Sequence, residues 1–427
     1  MSIIRRYSTV TQEILKSIFS KRSFTIYSTK AEEVLKEILG NVPLYSTQAQ
    51  EKIVRVYRGL KFYAPLKKDT VDLIDGVSGT FTNAGTGRSY IDSNDGLLKF
   101  AKADTPRFEL VDTRRAILLE TNDTNYLLYA RDLTQAEWVE TDTTTALDQI
   151  GEDGVADSAS SFLATAANAT VLQTLVLGAE DYSYTVSIKR ITGTGNIEVT
   201  DDNGGTWTDI KAHLSTTAWY RHSITRTQAN PICGIRIVTD TDKIAVDFNQ
   251  LEVGKMTTSR ILTTVAAVTR TSEASYPYWT LPTGLFDNKG TACLWIRPGY
   301  KADEAIATIR GLLAVADSAI SLMQLYEDDI YSSDGSGTFA TKLTAWSTAN
   351  TWYKVIVKWG YIDGAQKKFR VGFDTGSGVS WGVEQDFDGS YTMGSYLRLA
   401  YSIYCPMHIT NIMIWNRVLQ DNEIDTC

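Results

Sequence analysis

Three acidic residues alternate near the end of the chain: VEQDFD (383–388) sets Glu384, Asp386 and Asp388 at i, i+2 and i+4. On a strand they share one face, and paired carboxylates are what glycosidic bond hydrolysis uses. The same stretch runs into Gly and Ser and also reads as a turn. A second available chemistry is stacking, because a pyranose ring offers an apolar C–H face to an aromatic side chain flanked by polar groups. The candidates are Trp207 and Trp219, then Trp346, Trp352, Trp359 and Trp381. Trp295 and Trp415 are expected in the core. A third chemistry is oxygen ligation. Asp328, Asp329 and Asp334 form one group, Asp386 and Asp388 another, and Asp201, Asp202 and Asn203 a third. Calcium is the cofactor such oxygens would hold. None has the regular spacing of a dedicated calcium loop, and solvated turn carboxylates are the plainer reading.

Other chemistries have little material. With only His213, His222 and His408, a histidine-based triad is poorly supplied. There is no GxSxG, HExxH or P-loop. The four cysteines, Cys233, Cys293, Cys405 and Cys427, form no CxxC pair, which argues against a zinc site. Free thiols are expected, with a Cys293–Cys405 bridge and an interchain Cys427 pairing as alternatives. No apolar run approaches membrane-spanning length.

The elements that must position these residues are mostly strands. At 427 residues, two or three domains are expected, and 43% hydrophobic content supplies real cores. Residues 1–60 carry ten Lys/Arg against five Asp/Glu, while the remainder carries 32 against 45. The acidic remainder argues against nucleic acid as ligand. The basic start contains a threefold repeat, YSTVTQEILKSIFS, YSTKAEEVLKEILG and YSTQAQEKIVRVYRG. Each Thr is followed three residues later by Gln12, Glu32 or Gln50, a capping box ahead of apolar residues at helical spacing. Three short amphipathic helices are therefore expected, and the repeat explains these residues better than a transit peptide does. Such helices need a partner surface, so residues 1–60 are read as an anchor and 61–115 as a β-rich connecting segment. Alternation predicts strands at Thr174–Leu177, Tyr182–Lys189, Asn196–Val199, Tyr220–Thr225, Gly234–Val238 and Ile244–Glu252.

Several stretches resemble known families. GLLKFAKADTPRFE, AILLETNDTNYLLYARDLTQAEW and AVDFNQLEVGKMTTSRILTTVAAVTRTSE are similar to a module recurring in tailed-bacteriophage virion proteins. GTACLWIRP (290–298) and the closing HITNIMIWNRVLQDNEI (408–424) resemble concanavalin-like, laminin-G-type lectin domains. TDDNGGTW matches the Asp-box of sialidases at Thr200, Asp202, Gly204, Thr206 and Trp207. A single box, with no placeable arginine triad, reads as a stabilised hairpin: Asp202 accepts turn N–H groups, Gly204 takes a positive φ and Trp207 packs beneath.

The expected fold is mainly β: a small N-terminal α-helical anchor (1–60), the connecting segment (61–115), a carbohydrate-binding-type jelly roll (116–257) and a concanavalin-like sandwich (258–427). The resemblance implies a non-enzymatic virion surface or appendage protein, oligomeric and by family habit trimeric. It would be held to other virion proteins through residues 1–60 and present its sandwiches to host-surface glycans. Two alternatives stand beside it: a depolymerase of host envelope glycan working through Glu384, Asp386 and Asp388, and a structural virion component that binds no sugar.

Overall fold

The computed structural model describes residues 60–424, apart from 71, 73–77, 83–86, 272–274, 281–288, 302–309, 316–320, 327–328, 334–338, 345–347, 364–365, 388–395 and 400–405. The three expected N-terminal helices lie outside the described residues. Within them the chain is mainly β, in antiparallel sheets that face each other as sandwiches.

The jelly roll has two five-stranded sheets. One runs in the order Tyr220–Gln228, Glu180–Thr192, Lys243–Val253, Ala159–Ala164, Thr143–Gln149. The other runs Thr208–Asp209, Ile197–Thr200, Ile232–Ile237, Ala169–Thr174, Val139–Thr141. Period-2 alternation explains the longest strand. Tyr182, Tyr184, Val186 and Ile188 point into a core shared with Phe162, Ile235 and Leu251. Ser183, Thr185 and Ser187 point to the other face and are also buried. The reason is a strap at 254–263 that crosses that face. Gln250 Nε2 donates to the Ser259 carbonyl (3.2 Å) and the Ile261 amide to Gln250 Oε1 (2.7 Å), while Ser183 Oγ donates to the Gly254 carbonyl (2.8 Å).

The second sandwich is assembled from distant parts of the chain. Its larger sheet has the order Val379–Trp381, Gln366–Asp374, Tyr353–Asp363, Gly290–Pro298, Met407–Trp415, Arg114–Leu119, Arg107–Val111. Leu60–Ala64 pairs on Met407–Trp415 as well, and Gln385–Asp386 pairs on Gln366–Asp374. The facing seven-stranded sheet runs from Thr80–Thr82 through Ser275–Thr280 to Phe339–Thr344. Residues 61–115, expected as a β-rich connecting segment, supply strands to this sandwich: Phe62 pairs with Ile414 and Thr80 with Tyr278, and the strand that follows joins too, Leu118 pairing with His408. Phe62, Ile117 and Leu119 enter the same core as Leu294, Val357 and Ile414. The jelly roll interrupts this sandwich between Leu119 and Ser275. Partners nearly 300 residues apart leave no local trace in sequence.

A buried ionic cluster ties the two sandwiches. Arg107 pairs with Glu120 at 2.6 Å, Arg270 lies 3.4 Å from the same carboxylate, and Ser259 donates to it from both its amide and its hydroxyl. Burial alone would raise Glu120, but Arg270 and Arg107 outweigh it and hold the carboxyl down at about 2.

Candidate functional site

The GTACLWIRP strand alternates between core and outer face. Leu294 and Ile296 point inward, so Trp295 and Arg297 point out, with Trp295 opposite Lys354 on one side and Thr410 on the other. Arg114, two residues ahead of Ala116 on the Arg114–Leu119 strand, lies on this same outer face. Its guanidinium carbon sits 3.9 Å from the Trp295 ring centroid and 5.8 Å from that of Trp352. Lys354 Nζ is 5.2 Å from the Trp295 ring and is fixed by donating to the Ile424 carbonyl at 2.9 Å. Arg297 borders the group, donating from Nη1 to Asn350 Oδ1 (2.9 Å), with Nε 3.4 Å from Asp112.

Both tryptophans and Arg114 are half-buried. Desolvation lowers the Arg114 guanidinium, and no carboxylate among the described residues offsets it. The Trp352 indole Nε1 is buried and meets no acceptor among the described residues. The group thus combines the half-buried Trp352 ring, which Arg114 approaches only to 5.8 Å, with a guanidinium that has no counter-ion among the described residues and that covers the Trp295 ring on a rigid sheet face. A pyranose can stack on the Trp352 ring while its hydroxyl or carboxylate oxygens accept from the guanidinium.

The other expected stacking residues are placed differently. Trp207 lies under its hairpin: a Cβ on Gly204 would come 2.7 Å from the indole nitrogen, and Arg236 covers the ring at 4.3 Å. The hairpin forms as the motif implies, with Asp202 Oδ1 accepting from the Thr206 amide and the Thr200 hydroxyl, both at 2.8 Å. Asp201 faces Arg226 at 2.9 Å. Trp381 rests against Gly372 beneath Arg370 (4.1 Å) and Lys358 (4.6 Å), and both cations also pair with Asp421. Its surroundings hold down the closing helical turn, Asp421–Ile424. Trp359, expected among the stacking residues, is instead fully buried in the core, as is Trp415. Trp219 remains half-exposed at the edge of the jelly-roll sheet, with Lys189 Nζ at 4.8 Å. Beside it, Tyr220 stacks on His213 with centroids 4.8 Å apart. Trp346 lies outside the described residues.

The carboxylate row is tied into the sheet edge. Glu384 accepts from the Tyr361 hydroxyl (2.6 Å) and Asp386 pairs with Lys368 (2.6 Å), while Phe387, the next residue, turns into the core. Asp388 lies outside the described residues. Of the metal candidates, Asp329 is buried in the Asp329–Ser333 strand within reach of the Tyr331 hydroxyl at 3.4 Å. Asp328 and Asp334 lie outside the described residues, which contain no cluster of three or more His, Cys, Asp or Glu suited to a metal ion. Cys233 and Cys293 are buried free thiols, so the Cys293–Cys405 bridge is not formed.

Trp295 and Arg114 were not legible as site residues. Trp295, expected in the core, is half-buried on the outer face, and Arg297 two residues on marks that face as solvent-directed. Arg114 lay in a segment whose pairing partner is remote.

No family model matches the chain, and no curated protein does. Among solved structures, the binding domain of botulinum neurotoxin serotype D is similar over 36% of this chain and 40% of that one, at 9% identity and a TM-score of 0.28. This chain thus spans about two-fifths of that domain's length. The tandem CBM22-1–CBM22-2 domains of Xyn10C from Paenibacillus barcinonensis are similar over 69% of this chain and 98% of that one (12% identity, TM-score 0.23). Trypanosoma rangeli sialidase is similar over 79% and 65% (10% identity, TM-score 0.24). At these TM-scores the likenesses decide neither fold nor ligand.

Proposed function

We propose that the chain is a glycan-binding appendage protein of a bacteriophage virion, non-enzymatic, with residues 1–60 as its anchor and its β-sandwiches turned to host-surface glycans. One observation carries the binding reading: Trp352 and Trp295 lie half-buried around Arg114 on the outer sheet face, and Arg114 meets no carboxylate among the described residues. A half-buried guanidinium beside an indole face can donate to a sugar hydroxyl or carboxylate while the ring stacks on the pyranose. The virion part of the reading rests on the sequence resemblance of residues 96–109, 116–138 and 245–273. Weak single sites would gain strength from several copies held on one particle. The test is retention of the purified chain on host cell envelopes, with soluble sugar release measured in the same tube. Retention without release is the expected outcome. Release would bring Glu384 and Asp386 forward as catalytic groups.

A further inference from the structure

Arg114 and Arg115 are neighbours on one strand and therefore point to opposite faces. Arg114 belongs to the outer-face group. Arg115 lines a separate cleft of about 590 Å³ at the edge of the second sandwich. Three chain segments build its walls: the turn after Leu60–Ala64 brings Lys67 and Lys68, the turn after Ser89–Ile91 brings Asp92, and the Arg107–Val111 strand brings Phe108. Tyr90 and Phe108 supply half-buried aromatic surface.

The charge balance of the cleft is positive. Lys67, Lys68 and Arg115 face it against Asp69 and Asp92. Asp92 is already committed: it accepts Lys99 Nζ at 2.5 Å and the Asn94 amide at 2.9 Å, and the Lys99 hydrogen bond holds its carboxyl below the usual range. Arg115 Nη2 reaches the Ser93 carbonyl at the long distance of 3.5 Å and meets no carboxylate among the described residues. Lys68 is exposed. A guanidinium fork with most donors unspent suits a carboxylate better than a hydroxyl. The volume lies within the range of small-ligand sites, and the aromatic walls suit a pyranose face.

We propose that this cleft binds an acidic sugar, a hexuronate residue of an oligosaccharide, with its carboxylate on Arg115 and Lys68 and its ring against Tyr90 and Phe108. The site is independent of the Trp352 group and deepens the glycan-binding reading by naming a substrate class. The experiment is calorimetric titration of the full chain with trigalacturonate and with neutral trigalactose. Trigalacturonate should bind at least about tenfold more tightly and weaken as salt rises. Arg115→Ala and, separately, Lys68→Glu should each cost about tenfold or more for the acidic sugar, and Arg115→Lys should recover part of the loss. Trp352→Ala should leave this titration unchanged. Lys68 is exposed, so its variant stays folded and keeps the test decisive. Equal affinity for the two sugars, no binding of trigalacturonate, or unaltered binding in both charge variants would overturn the proposal. Failure here with envelope retention that still depends on Trp352 would leave the outer-face reading standing.

Discussion

At the scale of single residues, the acids at the junction between the sandwiches respond to pH in opposite directions. Desolvation first and Glu252 second push Asp123 up to about 7, and burial likewise raises Glu252. Glu120 and Arg270 are the other charged groups acting on Asp123. A carboxyl whose folded value lies above its unfolded value near 3.8 keeps its proton longer in the folded state. Its contribution is therefore fully present at low pH and is lost as pH rises toward 7. Asp123→Asn should stabilise the chain above pH 7, on the order of 1–2 kcal/mol after allowing for solvent, and leave it unchanged near pH 4. Denaturant midpoints at pH 4 and pH 8 would show this, and an equal shift at both would contradict it. Glu120 behaves the other way, since its depressed value makes its stabilisation disappear as pH falls. Gly204 is a second residue with a specific requirement. Its φ is +76°, and a side chain there would strike the Trp207 indole. Gly204→Ala should cost about 1–3 kcal/mol, read as a lower melting temperature; an unchanged one would mean that the hairpin is loosely held.

At the scale of elements, the sequence is most readable where one strand face is buried by local pairing. YSYTVSIKR and CGIRIV alternate cleanly, and strands stand there, at Glu180–Thr192 and Ile232–Ile237. The single Asp-box also forms its hairpin, because its bonds are all within seven residues. Reading fails where apolar residues serve something other than a sheet face. The strand expected at Thr174–Leu177 is in fact Ala169–Thr174; beyond it the chain turns out and Val176 is 89% exposed. Thr143–Gln149 is a mostly polar strand at a sheet edge, with no apolar alternation to announce it. The buried Ser183, Thr185 and Ser187 look solvent-facing in sequence, since nothing local signals the strap across them. The stacking candidates divide for the same reason. Which tryptophan is covered depends on cations from other strands, Arg236 over Trp207, Arg370 over Trp381 and Arg114 over Trp295, whereas Arg114 approaches Trp352 only to 5.8 Å, and that pairing is invisible before the register is known.

At the scale of the whole molecule, the second sandwich cannot be cut out at residue 258. Phe62, Ile117 and Leu119 are almost fully buried in its core, and each such side chain contributes about 1.5–3 kcal/mol. Removing residues 60–119 would also leave Met407–Trp415 as an unpaired edge. A 258–427 fragment should be insoluble or lack a cooperative transition, whereas a fragment of that length with a sharp thermal transition would contradict the strand pairing. The arrangement also sets the outer-face group: Arg114 arrives from one end of the chain and Trp295 and Trp352 from the other, so the group exists only when the whole sandwich is closed.

The central claim is that this group meets glycan. The most direct measurement is envelope retention of the full chain against two variants, Trp352→Ala and Trp381→Ala, each first shown to be folded. The account predicts that Trp352→Ala loses retention by about tenfold or more, while Trp381→Ala, whose ring is covered by Arg370 and Lys358, keeps it and loses only stability. Retention that survives Trp352→Ala but falls with Trp381→Ala would contradict it.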